Sequence, residues 1–457
     1  MMERTTFPLA QADAPTHWYN LAADLPGPAL APALNPRTGQ PLSRDEMAHT
    51  MPEPLIEQET GTAREFEIPE PVRQLYAQWR PSPLYRARRL ERALDTPARI
   101  YYKYEGVAPT GSHKPNTGIA QAYYNKQAGK TGLVTETGAG QWGSATALSA
   151  SFFGMSATVY MVRVSARQKP YRTALMETYG AVCVPSPSPE TAVGRKILAD
   201  DPDCPGSLGI ATSEALETFA QDPSLGYVLG SAANHVLLHQ TVIGQEALKQ
   251  LESAEDYPDI IVGCAGGGSN LAGLAFPFIG AQLRGGRPVR VIAVEPAACP
   301  TLTRGTVAYD YADTGQLGPL FRMHTLGHQF IPPSVHAGGL RAHGIGPMIT
   351  RVIEEGLMEA VAVPQVGCLE AGVRFARTEG ILPAPESTHA IRVAIDEALR
   401  CRAEGSAKTI VFGLSGHGHF DLAAYQKYFA GELTDAEADE DMLAHAAAGI
   451  PRASGSR

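Results

Sequence analysis

The chain carries little that would tie it to an oxidising compartment, a membrane or a polyanion. Its six cysteines (Cys183, Cys204, Cys264, Cys299, Cys368 and Cys401) are scattered, with no CxxC pair and no zinc-like spacing, so buried reduced thiols are the default. The longest weakly polar stretch, Leu271 to Leu283, is broken by Pro277 and two glycines. It falls short of the ~20 apolar residues that a membrane-spanning helix requires. The first residues, MMERTTFPLAQADAP, lack the apolar centre of a signal peptide. A net charge of −9 and a pI near 5.8 argue against a nucleic acid or an anionic membrane as partner. No internal repeat or low-complexity tract is evident. A soluble, cytoplasmic protein is the expectation.

What is present is enough chain for a large core. At 457 residues, with 44% hydrophobic and 19% charged residues, two domains are expected. Residues 1–80 are rich in proline and poor in periodicity between Trp18 and Pro54, with one short amphipathic helix expected over Pro69 to Trp79. This segment has too little apolar surface for a core of its own and reads as an extension that wraps the body. Beyond it, strand-like runs alternate with helix-like ones up to about residue 425. The strand-like runs are Arg99–Lys103, Gly132–Thr135, Ser156–Val162, Ala181–Val184, Ile260–Val262, Val289–Val294 and Thr409–Phe412. The helix-like runs are Ile119–Gln127, Ala145–Phe153, Pro170–Tyr179, Ala192–Ala199, Ser231–Leu251, Leu369–Arg377 and Ala390–Cys401. Such alternation predicts an α/β fold with parallel sheets covered on both faces. Residues 429–457 are acidic, then rich in Ala, Gly and Ser, and read as a flexible tail.

Four stretches carry chemistry. In Gly111 to Gly118, Lys114 falls on a strand-to-helix turn, where the positive end of a helix dipole favours a neutral, nucleophilic amine. A solvated turn lysine has the same local pattern. In Ile260 to Asn270, a strand runs into Gly266, Gly267, Gly268, Ser269 and Asn270 at a helix start, a pattern that lets backbone N–H groups approach a phosphate. The spacing is neither that of a dinucleotide fold nor of a P-loop, and a structural turn is the alternative. In Leu133 to Gly143, a strand ends at Glu136, and the loop Thr137, Gly138, Ala139, Gly140, Gln141, Trp142 could bind a carboxylate beside an acid/base group. Alone, Glu136 reads first as an ordinary hydrogen-bonded loop residue and only second as a catalytic one. In Ile410 to His419, Ser415 follows a buried-strand pattern. It is either a turn former or a hydroxyl that would bond a pyridine nitrogen without protonating it, a bias towards β-elimination and β-replacement.

Together with HAGGLRAHG and EGILPAPESTHAI, the ordered set GSHKPNTG, ETGAGQWG, GGGSN and LSGHG resembles the fold-type II pyridoxal-phosphate enzymes. Among these it is most similar to the tryptophan synthase β-chain family, in its second type with an extended N-terminal segment. The resemblance runs from about Trp18 through Tyr428. It implies two three-layer domains with the cofactor between them: residues 81–225 with the lysine and a mobile subdomain at about 130–220, and residues 226–428 with the phosphate loop. It implies that Lys114 is the Schiff-base lysine, that His113 and Gly266 to Asn270 hold the cofactor phosphate, that Ser415 faces the pyridine nitrogen, and that Asn116 bonds the 3′-oxygen. Glu136 would be the acid/base residue, the loop Thr137 to Trp142 would bind the substrate carboxylate, and Glu386 matches a carboxylate near the cofactor. An ion-pair role for Glu386 fits its residue type equally.

The implied reaction is replacement of the hydroxyl of L-serine by indole to give L-tryptophan, in a homodimer. An α chain and a monovalent cation are further partners that the family allows. A serine or threonine deaminase, a β-replacement enzyme with another nucleophile and a noncatalytic paralogue are the alternatives. The sequence departs from the first-type pattern at Trp142, where a histidine is usual, and at Gly338 to Gly344, where Arg341 replaces an aspartate-bearing segment. It departs from the second type at Ala342, where an aromatic residue is common. Arg341 could meet a substrate anion such as the phosphate of O-phosphoserine, or pair with a local carboxylate. Lys169-Pro170 reads as a loop and helix start whose role is open.

Overall fold

Strands that are apolar on every residue must be covered on both faces, and here successive residues feed alternate cores. The computed structural model describes residues 4–451. In the strand Ile260–Cys264, Ile261 faces one core while Ile260 and Val262 face the other, and Val411 and its neighbours Ile410 and Phe412 divide the same way. These strands belong to a seven-stranded sheet in the order Thr6–Phe7, Leu84–Arg86, Arg99–Tyr104, Thr409–Leu414, Ile260–Cys264, Arg290–Pro296, Glu359–Val363. The first two pairings are antiparallel and the other four parallel. A second sheet of four parallel strands runs Val182–Ser186, Ser156–Val162, Gly132–Thr137, Leu225–Tyr227.

The two sheets do not divide the chain where residues 81–225 and 226–428 were expected to part. Arg99–Tyr104, which leads to Lys114, pairs in parallel with Thr409–Leu414 and so belongs to the sheet built mainly from the C-terminal half. Only residues from Gly132 to Tyr227 make the smaller sheet. The helix expected over Ser231–Leu251 is two, Asn234–Gln240 and Val242–Glu252. At the break, Thr241 Oγ1 accepts the Tyr19 N–H at 2.9 Å, so the N-terminal segment takes up the side chain at the junction.

That segment is part of the core. Trp18 is fully buried and packs against His239 with the rings tilted at 47°, and Leu55, Ile56, Ile68 and Val72 are buried with it. The tail also differs from expectation. Residues Glu440–Ala448 form a helix capped by Asp439, and Ala446, Met442 and Leu443 pack on Cys299, Leu326 and Phe330. The acidic side chains of this segment face solvent while its alanine and leucine positions find an apolar patch, which composition alone conceals. Among the described residues no helix is long and apolar enough to cross a membrane. No group of His, Cys, Asp and Glu among them could hold a metal ion.

Candidate active site

Four strand ends converge. Lys114 follows Arg99–Tyr104, Ser415 follows Thr409–Leu414, Gly266 to Asn270 follow Ile260–Cys264, and Glu136 and Thr137 close Gly132–Thr137. Ligands in parallel α/β sheets bind at these carboxyl ends. Two adjoining cavities open there, of about 230 Å³ and about 50 Å³, and both have Lys114, Gln141, Ser231, Gly267 and Gly339 in their walls.

Lys114 immediately precedes the helix Pro115–Gln127, as the turn pattern requires. Its Nζ donates to Ser269 Oγ at 2.9 Å and to the Gly230 carbonyl. Its pKa is pushed down to about 8, by burial first and against the pull of Cys264, Glu386 and Glu136. Desolvation, which strips the ammonium of water, favours the neutral amine in the same direction as the helix dipole. An amine poised near neutrality is the form that attacks a carbonyl.

The smaller cavity is lined by Ser112, His113, the Gly266–Asn270 loop, Cys264, Glu386 and Ser415. Its glycines cannot be replaced without collision. A Cβ on Gly266 would stand 2.4 Å from the Gly339 carbonyl oxygen, and one on Gly267 2.1 Å from Ser231 Oγ. Gly268 has φ +101°, a conformation that side chains rarely adopt. The loop leads into the helix Ser269–Leu283, whose first N–H groups lack intrahelical acceptors. His113 Nε2 lies 3.0 Å from Ser269 Oγ, and burial pushes the imidazole pKa down to about 3, so it serves as a neutral ring. Ser415 Oγ lies 2.7 Å from Ser387 Oγ and 3.6 Å from Cys264 Sγ. Ser112 Oγ, Asn270 Oδ1 and Glu386 Oε2 are buried in this wall with no hydrogen-bond partner among the described residues. Unsatisfied polar atoms around a small cavity call for a polar occupant. A phosphate at the helix-end N–H groups and the Ser112 and Ser269 hydroxyls, a pyridine nitrogen at the Ser415 hydroxyl and a carbonyl carbon at Lys114 fit the groups that line it.

Across Lys114, the larger cavity holds Glu136. Its carboxyl is buried and accepts a hydrogen bond from Tyr227 Oη at 2.8 Å. Burial drives its pKa up to about 7, with the Tyr227 bond and the Lys114 charge pulling the other way. A carboxyl that titrates near neutrality can both give and take a proton. The wall around it is largely apolar, with Met51, Leu55, Leu208, Leu216 and Phe321 among its residues. Gly138 and Ala139 line the cavity, and Gly140, with φ +92°, starts the helix Gln141–Phe152, so the loop presents helix N-terminal N–H groups to it. Thr137 Oγ1 accepts the Gly143 N–H at 3.1 Å and so caps that helix.

Three expected residues are engaged elsewhere. Trp142 lines the cavity, but its Nε1 donates to Thr135 Oγ1 at 2.7 Å and is spent. Its ring packs under Gly230, where a Cβ would meet it at 2.3 Å. Asn116 is turned away from both cavities. Its amide donates to Gln240 Oε1 at 2.9 Å, and its carbonyl accepts from Arg80 Nη1 at 3.0 Å, inside a buried network with Glu105 and Glu246. Arg341 lines neither cavity and reaches Ser165 Oγ at 3.2 Å. Burial lowers its pKa, and no carboxylate partners it among the described residues. Glu386 takes both readings at once: it lines the smaller cavity, accepts the Gly339 N–H at 2.9 Å and lies 3.9 Å from Lys169 Nζ. Burial alone would raise its carboxyl, but Lys169 and the Gly339 amide hold it below the usual range. Lys169 in turn pairs with Asp421 at 2.6 Å.

Sequence reasoning missed Tyr227 and the Gly230–Ala233 loop. Tyr227 sits on a three-residue strand too short to announce itself, and the loop was absorbed into an overlong helix. The glycine and serine before Asn234 were the available signal.

Comparison with known proteins gives a consistent picture. A family model described as pyridoxal-phosphate dependent enzyme matches residues 75–416. The chain is 56% identical over 432 residues to tryptophan synthase beta chain 2 of Methanosarcina acetivorans, covering 94% of this chain and 98% of that one. It is 57% identical over 417 residues to the protein of the same name from Thermotoga maritima, covering 91% and 98%. Among solved structures, a fungal L-serine ammonia-lyase from Rhizomucor miehei superposes with a TM-score of 0.56 at 18% identity, covering 77% of this chain and 98% of that one, a likeness of fold.

Proposed function

The chain belongs to the tryptophan synthase β-chain family of pyridoxal-phosphate-dependent lyases, and from that premise we propose that it replaces the hydroxyl of L-serine with indole to give L-tryptophan. The observation that carries this reading is the pairing of a near-neutral amine at Lys114 with a near-neutral carboxyl at Glu136 across one apolar cavity.

Lys114, the Gly266–Asn270 loop, His113 and Ser415 would hold pyridoxal phosphate, which when bound would supply the electron sink that weakens the Cα–H and Cβ–O bonds of serine. Lys114 takes the proton from Cα and later returns it. Glu136, protonated over much of the neutral range, gives a proton to the departing β-hydroxyl and then accepts the proton that indole loses at its ring. Tyr227 keeps the Glu136 carboxyl aimed by donating to Oε2. Helix-end N–H groups of the Gly138 to Gln141 loop bind the serine carboxylate, and Thr137 holds that helix end in place. The apolar wall accepts an aromatic nucleophile and excludes water, which would otherwise intercept the dehydrated substrate. Closure of the smaller sheet and its helices over the site belongs to the same proposal. No arginine lines either cavity among the described residues, which favours L-serine over O-phosphoserine.

The test offers the pyridoxal-phosphate-loaded enzyme L-serine with saturating indole and compares tryptophan with pyruvate. Tryptophan is expected to dominate, and a predominance of pyruvate refutes the synthase reading in favour of a deaminase. Assembly as a homodimer, pairing with an α chain and residence in the cytoplasm are proposed with it. Sedimentation of the chain alone and with an α chain tests the first two.

A further inference from the structure

Lys114 Nζ is held by two acceptors, Ser269 Oγ and the Gly230 carbonyl, and only the first lies in the glycine loop. Gly230 opens a short loop that leads through Ser231, Ala232 and Ala233 into the helix Asn234–Gln240. Ala232 has φ +69°, the left-handed region that a Cβ disfavours, so this loop holds its shape only under outside restraint. Its leading edge is tied by Gln121, whose side chain brackets Leu229 with bonds of 2.7 and 3.0 Å. Its trailing edge is tied by the N-terminal extension.

The tie is Glu59, in the helix Glu53–Thr60. Glu59 Oε1 accepts the Asn234 N–H at 3.1 Å, and Oε2 accepts the His235 N–H at 3.0 Å and lies 2.6 Å from His235 Nδ1. Asn234 Nδ2 closes the set by donating to the Glu59 carbonyl at 3.1 Å. One residue earlier, Gln58 Oε1 lies 2.7 Å from His239 Nε2, and the other ring nitrogen of His239 lies 2.9 Å from Thr117 Oγ1, just past Lys114. Burial would raise the Glu59 carboxyl, but the His235 ring and the two amides outweigh it and hold it ionised. Glu59 and His235 both line the larger cavity.

We infer that Glu59 is a positioning residue for Lys114: it fixes the trailing edge of the Gly230–Ala233 loop and so holds the Gly230 carbonyl against the lysine amine. The N-terminal extension thereby becomes a working part of the active site rather than a wrapping around it. This rests on the reading of Lys114 as the cofactor lysine.

Glu59→Gln keeps the shape but turns an NH₂ towards a backbone N–H, donor against donor. The control is Glu57→Gln on the same helix, where Glu57 is exposed and pairs with Arg44 at 3.0 Å. Two measurements on the full chain decide. In cofactor-free protein, hydrogen exchange of residues 230–236 is expected to quicken about tenfold in E59Q and to stay unchanged in E57Q. In loaded protein, the visible absorbance of lysine-bound pyridoxal phosphate reports its affinity, expected to fall about tenfold in E59Q alone, the equivalent of one charge-assisted hydrogen bond. Should E59Q not fold, Glu59→Asp, which shortens the reach, carries both measurements with the same expected direction. If the Glu59 variant matches E57Q in exchange and in affinity, the inference is overturned. If the wild type itself shows no lysine-bound absorbance, the reading of Lys114 fails instead.

Discussion

Replacing Glu136 by glutamine should make the protein more stable at neutral pH and barely change it in acid. The carboxyl is buried, and its pKa rises from 4.5 to about 7 on folding. Below the unfolded value it is protonated in both states and contributes nothing to the pH dependence. Between the two values the unfolded chain ionises while the folded one keeps its proton, so stability falls as pH rises. Above about 7 the whole loss is present. At 1.36 kcal/mol per pKa unit, a shift of this size amounts to about 3 kcal/mol. The amide of E136Q cannot ionise but still offers an oxygen to Tyr227, so the wild-type-minus-E136Q difference isolates this one group. Urea unfolding of the two cofactor-free proteins at steps from pH 4 to pH 8.5 gives that difference directly. The difference should widen in favour of E136Q by about 3 kcal/mol across this range. A difference that stays flat would mean that Glu136 ionises as freely in the folded chain as in the unfolded one, and the argument for its acid/base role would lose its basis. The same substitution should cut tryptophan formation by about 10² to 10⁴-fold, the usual loss for a general acid or base.

Tyr227→Phe removes the donor that stabilises ionised Glu136. A hydrogen bond to a charged group is worth about 1.5–3 kcal/mol, so the high-pH limb of the pH–rate profile should move upward by about one unit or more; an unmoved limb would exclude the coupling. Gly266→Ala drives a Cβ to 2.4 Å from a backbone oxygen that no rotamer can move. Cofactor affinity measured by equilibrium dialysis should therefore fall sharply while the far-UV circular dichroism is kept. Trp18→Ala empties a fully buried site, and about 3–5 kcal/mol of stability should be lost in chemical denaturation. A loss below about 1 kcal/mol would show that the extension is not part of the core.

The sequence was most legible where a local pattern has one physical solution. Strands such as Ile260–Cys264, apolar at every position, fit only inside a covered sheet, and of the two readings open for the glycines before Ser269, Gly266 and Gly267 show the close approach while Gly268 makes the turn. It was least legible where a side chain chooses among distant partners. Asn116, which the resemblance assigns to the cofactor's 3′-oxygen, lies two residues past Lys114, about 200° round the helix, and bonds Gln240 and Arg80 instead. Arg341 left open a substrate anion or a local carboxylate, and it reaches Ser165 instead. The acidic tail looked solvated because its few apolar side chains declare themselves only against Leu326 and Phe330.

The amino-acid order therefore determined the local geometries: lysine ahead of a helix, glycines at a strand end, carboxyl and hydroxyl at two others. These follow from backbone sterics and hydrophobic period, which act over a few residues. The tertiary structure alone decided what those groups are chemically. Glu136 meets Tyr227 91 positions away, and Lys114 meets Ser269 155 positions away. The pairing of Arg99–Tyr104 with Thr409–Leu414 is what brings Lys114 beside Ser415. Burial and field set a pKa, and both depend on which remote segments close over the group, so the fitness of these groups to serve as acid, base or nucleophile is decided only in the folded chain.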